Sequence, residues 1–122
     1  MDKEMAILQG IIRSTNMRQK VIASNIANSD TPGYKAKDIE FGRTLNKQMK
    51  MITTDPGHVK GNSGNKINTK ITVNNDPSWG DRNNVQMNLE VSKMTQNSLT
   101  HETAVRLLNA KIKMFKSAIK AK

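Results

Sequence analysis

The sequence predicts an all-α architecture of two long antiparallel terminal helices, coiled-coil-like in their spacing and joined by a largely irregular middle segment with at most a short strand or hairpin. Near both chain ends, apolar residues recur at alternating steps of four and three, the spacing of one helix face. The middle is rich in Gly, Asn, Thr, Lys and Asp, a composition typical of turns. Only 35% of the 122 residues are hydrophobic and 3% are aromatic, so we expect no dense core in a chain of this length.

The first segment, residues 1–30, is predicted to form the N-terminal helix of the assembly core. Ile7, Ile11 and Val21 widen its apolar face, as expected for a helix that contacts more than one neighbour. The helix should end near Asn28, which tolerates a left-handed cap, and Pro32-Gly33 suits the centre of a type II turn. The main face consists of Met1, Met5, Leu8, Ile12, Thr15, Gln19, Ile22 and Ile26.

The middle segment, residues 31–83, is predicted to be an irregular connector that stays mobile unless neighbours order it. Ile39 and Phe41 suggest a short extended piece. A second stretch alternates apolar or β-branched residues with polar ones, as one face of a strand would. Its members are Ile67, Thr69, Ile71 and Val73.

The last segment, residues 84–122, is predicted to form the C-terminal helix of the assembly core. Asn83 or Asn84 can serve as its N-cap, and Gln86 lies three positions after Asn83, as in a capping box. The steps of four and three then continue almost to the end of the chain. The predicted seam consists of Met87, Val91, Met94, Ser98, His101, Val105, Leu108, Ile112, Phe115 and Ile119.

Polar residues interrupt both helical faces near their middles. They are Thr15 and Gln19 in the first helix, and Ser98 and His101 in the second. An antiparallel pair would bring these interruptions to similar levels, a hypothesis that crosslinking of Thr15→Cys with Ser98→Cys would test.

The net charge of +10 is compatible with a polyanion or an anionic membrane surface as partner. The lysines are spread along the chain without interleaved aromatic residues, and no nucleic-acid-binding signature is present. The lysine-rich ending, residues 111–122, could contact anionic lipid, but lysines also favour a helix C-terminus and keep a subunit soluble. A basic helical module that binds nucleic acid or an anionic membrane therefore stays the alternative to a structural protein.

The sequence does not predict an enzyme. Ser98 and His101 share a helical face but have no evident pocket or orienting acid, and His101 is better explained as a structural polar group. His58 lies beside a Pro-Gly turn and is expected in a loop. With two histidines far apart and no cysteine, no metal-ligand spacing is found. We expect no cofactor, no metal and no small-molecule substrate.

Residues 23–36 carry a specific pattern at the end of the first helix. It consists of Asn25, Ala27, Asn28, Thr31, Pro32, Gly33 and Tyr34. This run closely resembles the N-terminal signature of bacterial flagellar rod and hook proteins. Segments 54–58, 94–97 and 108–115 are most similar to the proximal members of the basal-body rod family. Small Ala23 and Ala27 would allow close helix packing, and the asparagines can bond backbone groups at the helix end.

The resemblance implies a non-enzymatic structural subunit of the proximal rod of the flagellar basal body, polymerising through its terminal helices. The implied partners are copies of itself, other rod proteins, and the membrane-ring and export-gate components at the rod base. The implied location is the rod, in the cell envelope, reached by type III export. We expect no cleaved signal peptide, since Met1 to Met5 lacks the basic start of one. The predicted assembly residues are Leu8, Ile12, Ile22, Ile26, Val105, Leu108, Ile112, Phe115 and Ile119.

Overall fold

Two helices and a small sheet make up the described part of the chain. The computed structural model describes residues 3–40, 70–76 and 80–121. Helix α1 spans Lys3–Ala27 and helix α2 spans Met87–Lys120. Strands β1 (Lys37–Glu40) and β2 (Lys70–Val73) lie between them in sequence. The prediction of a mainly helical chain with two long terminal helices is confirmed.

The two helices pack side by side and run in opposite directions. Lys111 bonds to Glu4 near the start of α1, His101 to Thr15, and Glu90 to Asn25 near the end of α1. Residue numbers therefore fall along α2 as they rise along α1. The predicted antiparallel pairing, with its polar interruptions at matching levels, is confirmed.

Helix α1 ends one residue before Asn28, where the chain turns sharply. The amide of Tyr34 donates to the carbonyl of Thr31 (3.3 Å), and Gly33 has a φ of +75°. Both features belong to a type II turn centred on Pro32-Gly33, so this prediction is confirmed. The left-handed cap expected at Asn28 is wrong, since Arg82 is the sole non-glycine residue with positive φ in the described ranges. The amide of Asn28 instead continues the helical bonding to Ser24 (3.1 Å).

Strands β1 and β2 form an antiparallel two-stranded sheet that pairs Ile39 with Ile71. This sheet confirms the extended structure expected around Ile39 and over Ile71 and Val73, while Phe41, Ile67 and Thr69 lie outside the described residues. Strand β1 packs against α1 and buries Ile39, whereas Ile71 and Val73 are each half exposed. The connector's predicted mobility without neighbours stays a prediction, and its residues 41–69 and 77–79 lie outside the described part.

The predicted N-cap of α2 is wrong. The helix begins at Met87, and Gln86 occupies the cap position without a side-chain hydrogen bond to the helix. Asn83 and Asn84 are not available as caps because their side chains bond elsewhere. Asn83 donates to the carbonyls of Asn28 (2.8 Å) and Thr31 (2.8 Å) at the end of α1. Asn83 thus satisfies carbonyls that follow the other helix, whereas Asn84 accepts the Ala36 amide (2.7 Å) and donates to the Asn74 carbonyl (2.8 Å).

The core is small and contains few apolar side chains. Among the described residues, the buried hydrophobic ones are Ile22, Ala36, Ile39 and Ala104. The buried polar ones are Ser14, Thr15, Asn25, Glu90 and Asn97. This agrees with the sparse core expected from composition. In the part of the chain that the structure describes, no helix is long and apolar enough to cross a membrane.

Candidate assembly interface

Polar side chains supply hydrogen bonds across the contact between α1 and α2. At its middle, Thr15 Oγ1 lies 2.9 Å from His101 Nδ1. One turn away, the Asn97 amide donates to the Thr15 carbonyl (2.9 Å) and to Gln19 Oε1 (2.9 Å). These bonds satisfy groups that would be costly to bury unpaired. His101 is therefore a structural polar group, as predicted from the sequence.

The buried face of α2 is rotated by about one residue from the predicted seam. Met94, His101 and Leu108 belong to both the predicted and the observed face. The structure also buries Glu90, Asn97 and Ala104. The sequence predicted instead the residues one position later, Val91, Ser98 and Val105. The observed row also alternates steps of four and three. Apolar periodicity alone missed it because two of its three new members are polar and are buried by hydrogen bonding.

Asn25 is the hub that joins α1 to β1 and α2. It is fully buried, and its amide nitrogen donates to the Lys37 carbonyl (2.6 Å) and to Glu90 Oε2 (2.9 Å). Its oxygen accepts the Lys37 amide (3.0 Å) and the Tyr34 hydroxyl (3.1 Å). One side chain therefore fixes the entry of β1, the start of α2 and the tyrosine after the turn.

The remaining motif residues shape the turn after α1. The Asn28 side chain donates to the Ser24 carbonyl (2.8 Å), which confirms the predicted bonding of backbone groups at the helix end. Thr31 Oγ1 donates to Asn28 Oδ1 (3.2 Å). Ala23 and Ala27 are both exposed, so the close packing predicted for them does not occur between the helices of one chain.

A group of four charged side chains ties β1 to both helices. Arg18 makes a two-pronged contact with the Asp38 carboxylate, at 3.0 and 3.2 Å. Lys93 Nζ lies 3.4 Å from Asp38 Oδ2 and 3.1 Å from Glu90 Oε1. The sequence did not predict this network because its members lie far apart along the chain.

The charge group holds Asp38 in its ionised form. Burial raises the pKa of this carboxyl, but the hydrogen bonds from Arg18 and the Ile39 amide, with the charges of Arg18 and Lys93, outweigh burial and lower the pKa below its ordinary value. The Glu4 pKa is also lowered, by the hydrogen bond and the charge of Lys111. Asp38 therefore acts as an anionic partner that ties β1 to both helices, and Glu4 as one that ties α1 to α2.

Several large hydrophobic side chains of α2 are exposed on the surface of the helix pair. Large hydrophobic side chains of α2 with at least 42% of their surface exposed include Leu99, Leu107, Met114 and Ile119. Leu107 and Met114 are seven positions apart and share a face. Leu99, Leu107 and Met114 lie off the row that is buried against α1, and Ile119 lies on α2 beyond the level of Glu4. A free chain would present them to water, which favours coverage by other molecules.

No catalytic arrangement is evident in the described residues. His101 bonds to Thr15, while Ser98 is exposed. No group of three or more potential metal-ligating side chains is found within the described ranges. His58 lies outside those ranges.

Comparison with known proteins identifies the motif and then the whole chain. A family model described as flagella basal body rod protein matches residues 15–35, which contain the Asn25 hub and the turn. The FlgB basal body rod protein of Aeromonas hydrophila is 34% identical over 98% of this chain and 94% of its own length. FlgB of Bacillus subtilis is 33% identical over 92% and 89%, respectively.

This chain belongs to the FlgB family. FlgB of Salmonella typhimurium, 30% identical over 93% of this chain, extends the similarity further. The prediction of a flagellar basal body rod protein is therefore confirmed, and with it a role in the motility apparatus. FlgB proteins are named as rod components and not as enzymes, so the prediction of a non-enzymatic protein is confirmed as well. No comparison supports the alternative of a basic module for nucleic acid or membrane.

The predicted assembly residues of this FlgB family member differ in how exposed they are within one subunit. Ile22 is fully buried, and Phe115 and Ile119 are 42% and 75% exposed. The other six predicted residues are partly exposed beside the helix contact: Leu8, Ile12, Ile26, Val105, Leu108 and Ile112. In the free subunit, Phe115 and Ile119 are thus the most accessible of the predicted set.

Proposed function

We propose that this chain is a structural subunit of the proximal flagellar rod that polymerises through the outward faces of its terminal helices. The observation that carries this proposal is the exposed apolar surface of α2. Membership of the FlgB family supports the rod as its place. The role of the subunit is mechanical, because neighbours hold it in position and it transmits force through helix contacts.

The distribution of polar and apolar residues supports different roles for the inner and outer faces of the helices. Hydrogen bonds and ion pairs align α1 with α2 inside the subunit. Apolar side chains such as Leu107 and Met114 remain for contacts between subunits. Burying one large apolar side chain contributes about 2 kcal/mol, so several of them on each subunit help to offset the entropy cost of association.

Partners and location follow from the same role. We infer that copies of this chain, other rod proteins, and ring and export-gate components at the rod base cover the exposed faces. We also infer that the chain is delivered by the type III export apparatus. The absence of cysteine from the sequence is compatible with this route.

The test replaces exposed apolar residues while leaving the helix contact intact. Leu107→Glu and Met114→Glu should each retain the circular dichroism of the wild type, because both side chains already face solvent. In cells lacking the native gene, they should abolish basal-body rods, counted by electron microscopy, and swimming. Asn109→Glu, an exposed position between them, is the matched control and should support swimming. Normal rods with both leucine and methionine variants would contradict the proposal.

A further inference from the structure

Four residues are hydrogen-bonded across the middle of the contact between α1 and α2, and His101 is the one among them that can change its charge. Its Nδ1 lies 2.9 Å from Thr15 Oγ1. Beside this pair, the Asn97 amide donates to Gln19 Oε1 (2.9 Å), and amide side chains do not titrate. Imidazole side chains commonly gain a proton between about pH 8 and about pH 5. The direction of the bond between Thr15 and His101 therefore decides whether acid breaks it.

The hydroxyl hydrogen of Thr15 determines this direction. Thr15 Oγ1 carries a single hydrogen and lies 2.9 Å from the Ile12 carbonyl oxygen, one turn earlier in α1. Donation to this carbonyl leaves only lone pairs of Oγ1 to face the imidazole, so the hydrogen of the second bond must come from His101 Nδ1. The reverse assignment would hold two oxygens 2.9 Å apart with no hydrogen between them, which is a repulsive arrangement.

Donation to the preceding turn is the rule for threonine in the helices of this chain. Helical threonines commonly bond a carbonyl three or four positions earlier. All three threonines of α2 do so, with oxygen–oxygen distances of 2.8 to 3.1 Å. They are Thr95, Thr100 and Thr103. Thr15, the threonine of α1, follows the same pattern, which supports the assignment of its hydrogen to the Ile12 carbonyl.

The charged side chains within one turn of this pair are already bonded or face solvent. Arg18 donates to Asp38 Oδ1 of β1 (3.0 Å). Glu102 accepts a hydrogen bond from Arg106 (3.1 Å), and Arg13 is exposed. The carboxylate within a turn of the pair is therefore engaged on its own helix, and arginines cannot accept a hydrogen bond from an imidazole. The threonine hydroxyl thus stays the acceptor for the imidazole.

We propose that His101 is a proton-tolerant link, which donates from Nδ1 to Thr15 in the neutral and in the protonated imidazole alike. In the neutral ring the hydrogen lies on Nδ1, and Nε2 holds a lone pair. Acidification adds the second hydrogen to Nε2, away from the bond, so the alignment of α1 and α2 at this level is retained as the pH falls. A threonine donor would have the opposite effect, because the added proton would occupy Nδ1 and remove the bond. This property belongs to the single subunit and goes beyond its role in the rod.

Nitrogen-15 NMR of the full chain at about pH 8 tests which ring nitrogen carries the hydrogen. The sequence contains two histidines, so the ring signals of His101 are those that disappear in His101→Gln. We expect the hydrogen on Nδ1 in the wild type and in Thr15→Ser, which retains the hydroxyl. Thr15→Val keeps the branched shape without the hydroxyl and should lose this preference. A wild-type ring with the hydrogen on Nε2 and a lone pair on Nδ1 would overturn the proposal.

Urea unfolding of the wild type and Thr15→Val at about pH 8 and about pH 5 gives an independent readout. Circular dichroism before urea is added verifies that the variant is folded at both pH values. Loss of the hydroxyl removes its bonds to Ile12 and His101, so the urea midpoint should fall by about 0.5 to 1 M at both pH values. A fall at about pH 8 that disappears at about pH 5 would contradict the proposal, because protonation removes only a bond that Nδ1 accepts.

Discussion

Replacing Asn25 with alanine should be among the most damaging single changes to the free subunit. The side chain is fully buried and takes part in four hydrogen bonds, to Lys37 twice, to Tyr34 and to Glu90. At about 1 kcal/mol net per bond, their loss costs about 4 kcal/mol. The buried Glu90 carboxylate also loses a donor, which acts in the same direction. Domains of this size have total stabilities of about 5 to 15 kcal/mol.

Urea unfolding followed by circular dichroism at 222 nm measures this loss. With a slope of about 1.5 kcal/mol per molar, the midpoint should fall by about 2 to 3 M. Asn16→Ala is the matched control, because Asn16 is an exposed asparagine on the same helix, and it should change stability by less than about 0.5 kcal/mol. If the two variants unfold at the same urea concentration, the hub role assigned to Asn25 is refuted.

Three further outcomes follow from the described contacts. Asp38→Asn should lower the free energy of unfolding by up to about 1 kcal/mol at pH 7. Because the pKa of Asp38 is lower in the folded than in the unfolded chain, this difference should be lost as the pH falls through the folded pKa. The urea midpoints of wild type and variant should then converge. Thr15→Cys should be joined to His101→Cys by a short bifunctional thiol reagent, read on a denaturing gel, because Thr15 Oγ1 and His101 Nδ1 lie 2.9 Å apart. Faster crosslinking of Thr15→Cys with exposed Ser98→Cys would contradict the observed helix rotation. Gly33→Ala should cost about 1 to 2 kcal/mol in urea unfolding, since the φ of +75° is strained for any side chain; an unchanged midpoint would show that the turn adapts.

Sequence reasoning could predict the architecture because periodicity and turn chemistry are local signals. The spacing of four and three locates both helices, and Pro32-Gly33 locates the turn. Met94, His101 and Leu108 are correctly assigned to the buried face because they belong to both the predicted seam and the observed buried row of α2. The antiparallel direction follows from matching the polar interruptions of the two helices.

The exact face and the caps could not be predicted, because they depend on partners that are distant in sequence. Glu90 and Asn97 read as solvent-facing until Asn25, Thr15 and Gln19 are placed opposite them. Asn83 resembles an N-cap of α2, but its side chain is committed to carbonyls at the end of α1. The signal that could have identified the buried row was the recurrence of Glu90 and Asn97 at the same steps of four and three as Met94 and Leu108.

The hydrogen-bonded contact between α1 and α2 also has a geometric consequence. Sliding one helix by a single turn, about 5.4 Å, would separate Asn97 from Gln19 and Asn25 from Glu90 and leave buried groups without partners. Purely apolar faces tolerate such slippage far better, whereas buried polar residues fix the alignment of paired helices. The two helices therefore keep one axial register in every copy of the subunit, so the distance from the C-terminal end of α2 to the turn after α1 is the same in each.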